Sequence, residues 1–148
     1  MRQQLIITSL LVALALPTAA QAQFAKTEDA IKYRAATFVL MGNHFSRIGA
    51  VVKGEKPFDK NEVAANAAIV ASLAHLPWQA FGPGTEGGKS LPEIWKEMDK
   101  FKAGGEKMQK AVAELNTAAK SGDLDSIKKA FGEAGKSCKA CHDNYRKK

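Results

Sequence analysis

The chain has 148 residues and a mass of 15.9 kDa, enough for one domain of ordinary size. About 45% of the residues are apolar, 25% are charged and only two are cysteines, which excludes both a disordered chain and a disulfide-stapled miniprotein. The net charge of +7 favours acidic partners but is too low for a nucleic-acid-binding arm.

Residues 1–22 are predicted to be a secretory signal peptide. Arg2 supplies the positive start, an apolar run covers residues 5–16, and Ala20-Gln21-Ala22 places small residues before a cleavage site. A run of this length spans about 18 Å, against ~30 Å for a bilayer core, so a membrane-anchoring helix is disfavoured. We therefore expect cleavage before Gln23, release of the mature chain from the membrane, and a location in the bacterial periplasm.

Beyond residue 23, apolar residues recur every three or four positions in four segments, the pattern of amphipathic helices. Thr27, Asp59 and Ser90 are predicted to be the N-caps of the first three helices. The predicted helices are A (27–54), B (59–76), C (90–120) and D (124–145). Their short or glycine-rich connections predict an all-α fold, an antiparallel up-down four-helix bundle forming one domain over residues 23–148; an irregular all-α domain is the alternative.

Two glycine patterns need separate interpretation. Residues 82–87 read Gly-Pro-Gly-Thr-Glu-Gly and match the dinucleotide fingerprint, but a helix precedes them and no strand surrounds them, so we reject that interpretation. The pair Gly104-Gly105 inside helix C predicts a close approach of another backbone or a bend.

Both cysteines fall in the sequence Cys138-Lys139-Ala140-Cys141-His142 on helix D. Thiols three residues apart project from the same face of a helix. The C-x-x-C-H arrangement is the attachment motif of haem c, in which two thioether bonds hold the porphyrin and the adjacent imidazole binds the iron. The motif therefore predicts a covalent haem carried by Cys138 and Cys141, with His142 as its iron ligand.

Three other uses of this motif are less consistent with the sequence. A thioredoxin-like disulfide belongs beside a βαβ unit, and a zinc site would need further ligands, although His44 and His75 are the only other histidines. A structural disulfide would close only a very short loop. Six residues follow His142, so any distal contact to the iron is expected from the upstream helices.

The chain resembles the cytochrome c′ family, the four-helix-bundle c-type cytochromes of the bacterial periplasm, over essentially the whole mature sequence. The residues that carry the likeness are Lys32-Tyr33-Arg34, the segment 76–85, and residues 138–142 followed by Tyr145-Arg146. The resemblance implies thioether bonds at Cys138 and Cys141, an axial ligand at His142, and a haem propionate near Arg34. It places Thr85 and Glu86 near the propionates, and Arg146 near the proximal side of the iron.

The resemblance also places Phe38 on the vacant side of the iron, where low-spin relatives have a ligating methionine. A phenyl ring cannot bind iron, so we expect a high-spin, five-coordinate iron with an apolar distal pocket that binds NO and CO. An electron carrier that serves periplasmic redox proteins is compatible with this, and the alternative is a low-spin carrier with a methionine such as Met41 bound. A peroxidase is disfavoured, since the distal wall shows no His/Arg pair. The family likeness implies a homodimer formed through helices A and B.

Overall fold

The computed structural model describes residues 24–148, so the predicted signal peptide lies outside the described residues. Within this range the chain forms five α-helices, one 3₁₀ helix and no β-strand. They are α1 (Thr27–Val52), α2 (Lys60–Leu73), the 3₁₀ helix (Pro77–Phe81), α3 (Glu93–Lys96), α4 (Met98–Ser121) and α5 (Leu124–Tyr145). The four long helices confirm the predicted all-α bundle.

The long helices form a ring in the order α1, α2, α4, α5, and α5 packs back against α1. Neighbouring helices are antiparallel. Between α1 and α5, for example, the Cβ position of Gly49 lies 3.0 Å from the Phe131 ring, whereas Phe45, one turn earlier on α1, reaches Gly135, one turn later on α5. Phe45 also stacks on Phe131 with ring centroids 4.2 Å apart. The interior contains Ile48, Val70, Leu115 and Ile127, each at most 1% exposed. Burying an aliphatic side chain of this size contributes about 1.5–3 kcal/mol, so this interior is the main source of stability.

The helix starts were predicted with mixed success. Asp59 is the N-cap of α2, as predicted, and its carboxylate accepts hydrogen bonds from the backbone N–H groups of Asn61 and Glu62. The prediction for Thr27 was wrong, because Lys26 occupies the N-cap of α1. The Thr27 hydroxyl instead donates to the carbonyl of Gly84 at 2.7 Å and ties the start of α1 to the glycine-rich loop.

Helix C does not begin at Ser90. The short helix α3 ends at Lys96, and Glu97 leaves the helical region with φ −123° and ψ 41° before α4 begins. The physical reason is a distant partner: the backbone N–H of Leu91 donates to the carbonyl of Tyr145 at 3.0 Å, and Ser90 forms an antiparallel bridge with Arg146. These contacts hold the segment extended where the sequence pattern favoured a helix. Helix B likewise stops at Leu73, before the 3₁₀ helix.

Within residues 24–148, no helix combines the length and the apolar character needed to cross a membrane.

Candidate haem-binding site

The two attachment cysteines lie on the C-terminal half of α5, which Asp123 caps by accepting a hydrogen bond from the backbone N–H of Ser126. Cys138 and Cys141 are both free and half-buried. Burial raises the pKa of both thiols, so they are protonated at neutral pH. Their shared helix face and free state are the properties that two thioether bonds to one porphyrin require.

Cys141 packs closely against α4 at a glycine. A Cβ atom placed on Gly104 would lie 3.1 Å from the Cys141 Sγ, and one placed on Gly105 would lie 2.8 Å from the Trp78 ring. Helix α4 continues through both glycines, and the groups that approach them closely are the side chains of Cys141 and Trp78, where the sequence predicted a backbone. The glycine pair thus lets the Cys141 thiol and the Trp78 ring pack directly against the backbone of α4.

His142 is exposed near the end of α5, next to the second cysteine. The pKa of its imidazole is lowered, chiefly because the ring is partly desolvated and then because Arg146 is positive; Asp143 acts in the opposite direction. A lower pKa favours the neutral imidazole, which is the form that binds a metal. His142 is therefore chemically suited to ligation.

An aromatic cluster connects α1 to the end of α5. The Phe38 ring lies 6.4 Å from the Trp78 and Phe81 rings, measured between centroids, and Phe81 lies 4.8 Å from Phe101. Phe101 in turn contacts Tyr145 edge to face at 5.3 Å. Phe38, half-buried, packs against both hydrophobic cores of the molecule. The surroundings of Phe38 are thus apolar.

Arg34 is buried and only 3% exposed, an unusual position for a charged side chain. Its Nη1 donates to the carbonyls of Ala80 (2.6 Å) and Thr85 (2.7 Å), and its Nη2 donates to the carbonyl of Gly87 (2.9 Å). Burial lowers the pKa of the guanidinium, while the negative charge of Glu86 opposes this shift. Among residues 24–148, Arg34 forms no salt bridge, so the buried cation lacks a closely paired counter-ion.

Two connections join the predicted site residues to the glycine-rich loop, one from Arg34 and one from the end of α5. Arg34 contacts the loop that contains Thr85 and Glu86, but the Thr85 hydroxyl donates to the carbonyl of Gly82 at 2.7 Å. His142 lies on α5, and its helix is joined to that loop through the backbone contacts of residues 145–147. Sequence reasoning missed this second connection, because main-chain hydrogen bonds leave no signal in residue types.

The chain's own residues fit a covalent haem. Cys138 and Cys141 are free thiols on one helix face, and His142 can supply a neutral imidazole. Arg34 is a buried cation for which a propionate would be a natural counter-ion.

A four-helix bundle with a C-x-x-C-H motif at the end of its last helix defines a bundle-type c-type haem protein. The family model for cytochrome c′ matches residues 29–146, and the chain belongs to the cytochrome c′ family. Its haem is haem c, for which Cys138 and Cys141 form the attachment motif.

The chain is similar to several characterised relatives along almost their whole length. It is 52% identical over 126 residues to a cytochrome c′ from Alcaligenes xylosoxydans xylosoxydans, covering 85% of this chain and 99% of that protein. It is 45% identical over 129 residues to a cytochrome c′ from Rubrivivax gelatinosus, covering 85% of this chain and 100% of that protein.

Solved structures of the Alcaligenes xylosoxidans protein have the same fold. The recombinant native form gives a TM-score of 0.82 at 51% identity, with 85% of this chain and 100% of that chain covered. Others are variants of one leucine, including a nitric oxide complex of the Leu-to-Ala form and a ferrous Leu-to-Phe form, and one is a reduced Arg-to-Ala form.

Proposed function

We propose that this protein holds a high-spin, five-coordinate haem iron through His142, binds NO and CO on the side of Phe38, and carries one electron. The observation that carries the proposal is the position of Phe38 in an apolar aromatic cluster with Trp78 and Phe81. A phenyl ring supplies neither an iron ligand nor a hydrogen-bond donor. Small neutral ligands need no donor, whereas bound O₂ and anions would gain little there.

The comparisons support this assignment of Phe38. Identity to the native Alcaligenes protein is 51%. It rises to 52% in the Leu-to-Phe variant, as expected if that leucine aligns with a phenylalanine of this chain. It falls to 50% in the Arg-to-Ala variant, as expected if that arginine aligns with an arginine of this chain. The two replaced positions are separated by the same number of residues as Phe38 and Arg146, and no other Phe and Arg of this chain have that separation. Variants of that leucine were solved as nitric oxide complexes, which favours ligand binding beside Phe38.

Each site residue has a distinct role in this proposal. When bound, the haem supplies an iron that takes up one electron and binds diatomic ligands. Cys138 and Cys141 hold the porphyrin, and neutral His142 binds the iron from one side. Arg34, fixed by three carbonyls, offers positive charge to a propionate, with Thr85 and Glu86 in the adjoining loop.

The alternative is a low-spin electron carrier in which a methionine occupies the sixth coordination position of the iron, with no gas-binding role. Met41 lies one turn beyond Phe38 but is buried, 8% exposed, within the main hydrophobic core. Methionine in such a position commonly fills the core. An enzymatic peroxidase is also less consistent with the site, since His44 is engaged by Asn66 at 2.8 Å and the neighbours of Phe38 are aromatic.

We also propose that residues 1–22 direct export to the periplasm, where they are removed and the haem is attached. The support is the sequence pattern of a charged start, an apolar run and small residues before Gln23. The mature chain, residues 23–148, would then be a single bundle domain. Intact mass measurement of protein from a periplasmic extract tests this, with a mature chain that starts at Gln23 and carries one haem as the expected result.

A homodimer formed through α1 and α2 completes the proposal. Exposed apolar side chains on α1 and α2 are Val39 (62%), Leu40 (51%) and Ile69 (40%), and Leu76 (39%) follows α2 just before the 3₁₀ helix. Exposed apolar surface on a helix pair is typical of a contact with another protein. A second copy of the same chain would remove them from water.

The experiment that tests the proposed function is titration of the ferrous holoprotein with NO and with CO, followed by absorption spectroscopy. We expect both gases to change the haem spectrum to that of a ligated iron. A spectrum unaffected by either gas, with a methionine-bound iron in both oxidation states, would favour the low-spin carrier instead.

A further inference from the structure

The positive charge of this protein is concentrated in its second half. Residues 98–148 hold twelve Lys and Arg side chains and seven Asp and Glu side chains, a net charge of +5. Residues 24–97 hold nine and eight, a net charge of +1. The excess therefore lies on α4, α5 and the C-terminal residues, the half of the chain that carries the haem-attachment motif.

A surface groove between α4 and α5 places part of this charge beside the motif. It is lined by Lys107 and Lys110 from α4 and by Lys136 and Ser137 from α5. Ser137 immediately precedes Cys138. Lys107 lies three residues after Gly104, the glycine that packs on Cys141. The groove therefore borders the turn of α5 that carries the first attachment cysteine.

The lysines of the groove are available to a partner. Lys107 and Lys110 form no salt bridge within residues 24–148. Lys136 is paired with Glu133 at 2.7 Å, but its side chain is 75% exposed, and an exposed pair of this kind contributes only about 0–1 kcal/mol. Glu114 also lines the groove, so the groove alone carries three cationic and two anionic side chains.

We propose that this groove is the docking surface for an acidic electron-transfer protein. The inference rests on the proposed function, since it names the partner of the same haem site. In the ring of helices, the α4/α5 face lies opposite the α1/α2 face that carries the exposed apolar side chains. A homodimer through α1 and α2 would thus leave the groove between α4 and α5 of each subunit open.

The chemistry of the encounter is a one-electron exchange. The reduced partner loses one electron and the ferric haem gains it, with no bond made or broken in either protein. Complementary charge raises the association rate of such pairs, and salt lowers it, because screening acts over about 10 Å at 0.1 M ionic strength. The proposal therefore predicts a rate that depends on salt and on the charge of this face in particular.

The test uses the holoprotein and a reduced plant-type [2Fe–2S] ferredoxin, an acidic one-electron donor, in stopped-flow reduction of the ferric haem. The variant Lys107→Glu/Lys110→Glu reverses charge in the groove. The matched control, Lys53→Glu/Lys56→Glu, lowers the net charge equally in the exposed connection between α1 and α2. At low salt we expect the groove variant to react about tenfold more slowly and the control to change less than about twofold, with the difference lost at high salt.

Equal slowing of the two variants would show that only net charge matters and would overturn the proposal, as would an unchanged rate in the groove variant. The absorption spectrum and the NO titration of each variant are recorded in parallel. If the iron proves six-coordinate and unreactive toward NO, the gas-binding function fails, but the comparison of reduction rates still decides the docking surface. The two failures are therefore distinguishable.

Discussion

A Cβ atom on Gly104 of α4 would lie 3.1 Å from the Sγ of Cys141 on α5. That distance is tighter than ordinary van der Waals contact, and the Cys141 sulfur is also an atom that must bond to the porphyrin. The glycine therefore sets how closely the haem-bearing helix packs on its neighbour.

Gly104→Ala should reduce haem attachment, although alanine is favoured over glycine in a helix by about 1 kcal/mol. The added methyl group would push on the sulfur that carries the thioether bond. The ratio of haem absorbance to protein mass measures the attachment. Gly132→Ala on α5 is the control, because nothing lies within 4 Å of its Cβ position. Full haem content in both variants would contradict this role of Gly104.

Phe38→Leu, or Phe38→Ala where that variant folds, should bind CO faster than the wild type. In the proposed site the smaller side chain would open the distal side of the iron, and the gas would no longer have to displace a ring. Flash photolysis or stopped-flow mixing gives the association rate. Phe45→Leu serves as the control, because Phe45 stacks on Phe131 in the main core and should affect stability only. Unchanged CO kinetics in the Phe38 variants would mean that other residues form the distal wall.

Arg34→Lys should destabilise the fold even though the charge is kept. A lysine ammonium cannot reach the carbonyls of Ala80, Thr85 and Gly87 with the geometry of a guanidinium. We expect a loss of about 2–3 kcal/mol in the free energy of unfolding, since hydrogen bonds from charged groups contribute about 1.5–3 kcal/mol. Denaturant unfolding measures it, with exposed Arg47→Lys as the control. Equal stability of both variants would refute the anchoring role.

The bundle could be predicted from the sequence because apolar residues at three- and four-residue spacing have few other uses. The break at Glu97 and the extended segment before α3 could not, because they depend on a main-chain hydrogen bond between Leu91 and Tyr145, far apart in sequence. The site likewise has a part that the sequence predicts and a part that only the fold creates. Cys138, Cys141 and His142 form a local motif, whereas the carbonyl partners of Arg34 come from a loop about fifty residues away, and only the fold brings them together.

Asp123 should make the stability of the bundle sensitive to acid. Its hydrogen bond from Ser126 lowers the pKa of the carboxyl in the folded state. A lowered pKa means that the stabilisation is complete above the unfolded-state pKa and is lost as the pH falls through the folded-state pKa. The wild type should therefore lose more stability than Asp123→Asn between neutral and acidic pH. Parallel pH profiles in thermal unfolding would exclude this contribution.

Leu40→Glu combined with Ile69→Glu should produce a monomer. Both side chains are exposed and apolar on the proposed dimer face, and burying two carboxylates there would cost more than the contact provides. Sedimentation of the holoprotein at micromolar concentration measures the state. Phe58→Glu, which replaces an exposed ring in the connection between α1 and α2, is the comparison. A wild type that sediments as a monomer would remove the dimer from the account.

Resonance Raman spectroscopy of the ferrous holoprotein, without added ligand, tests the coordination of the iron most directly, because its marker bands report spin state and ligand number. We predict a high-spin, five-coordinate iron with His142 as the only protein ligand. A low-spin, six-coordinate spectrum would contradict the account, since it would mean that a side chain such as Met41 occupies the position we assign to NO and CO.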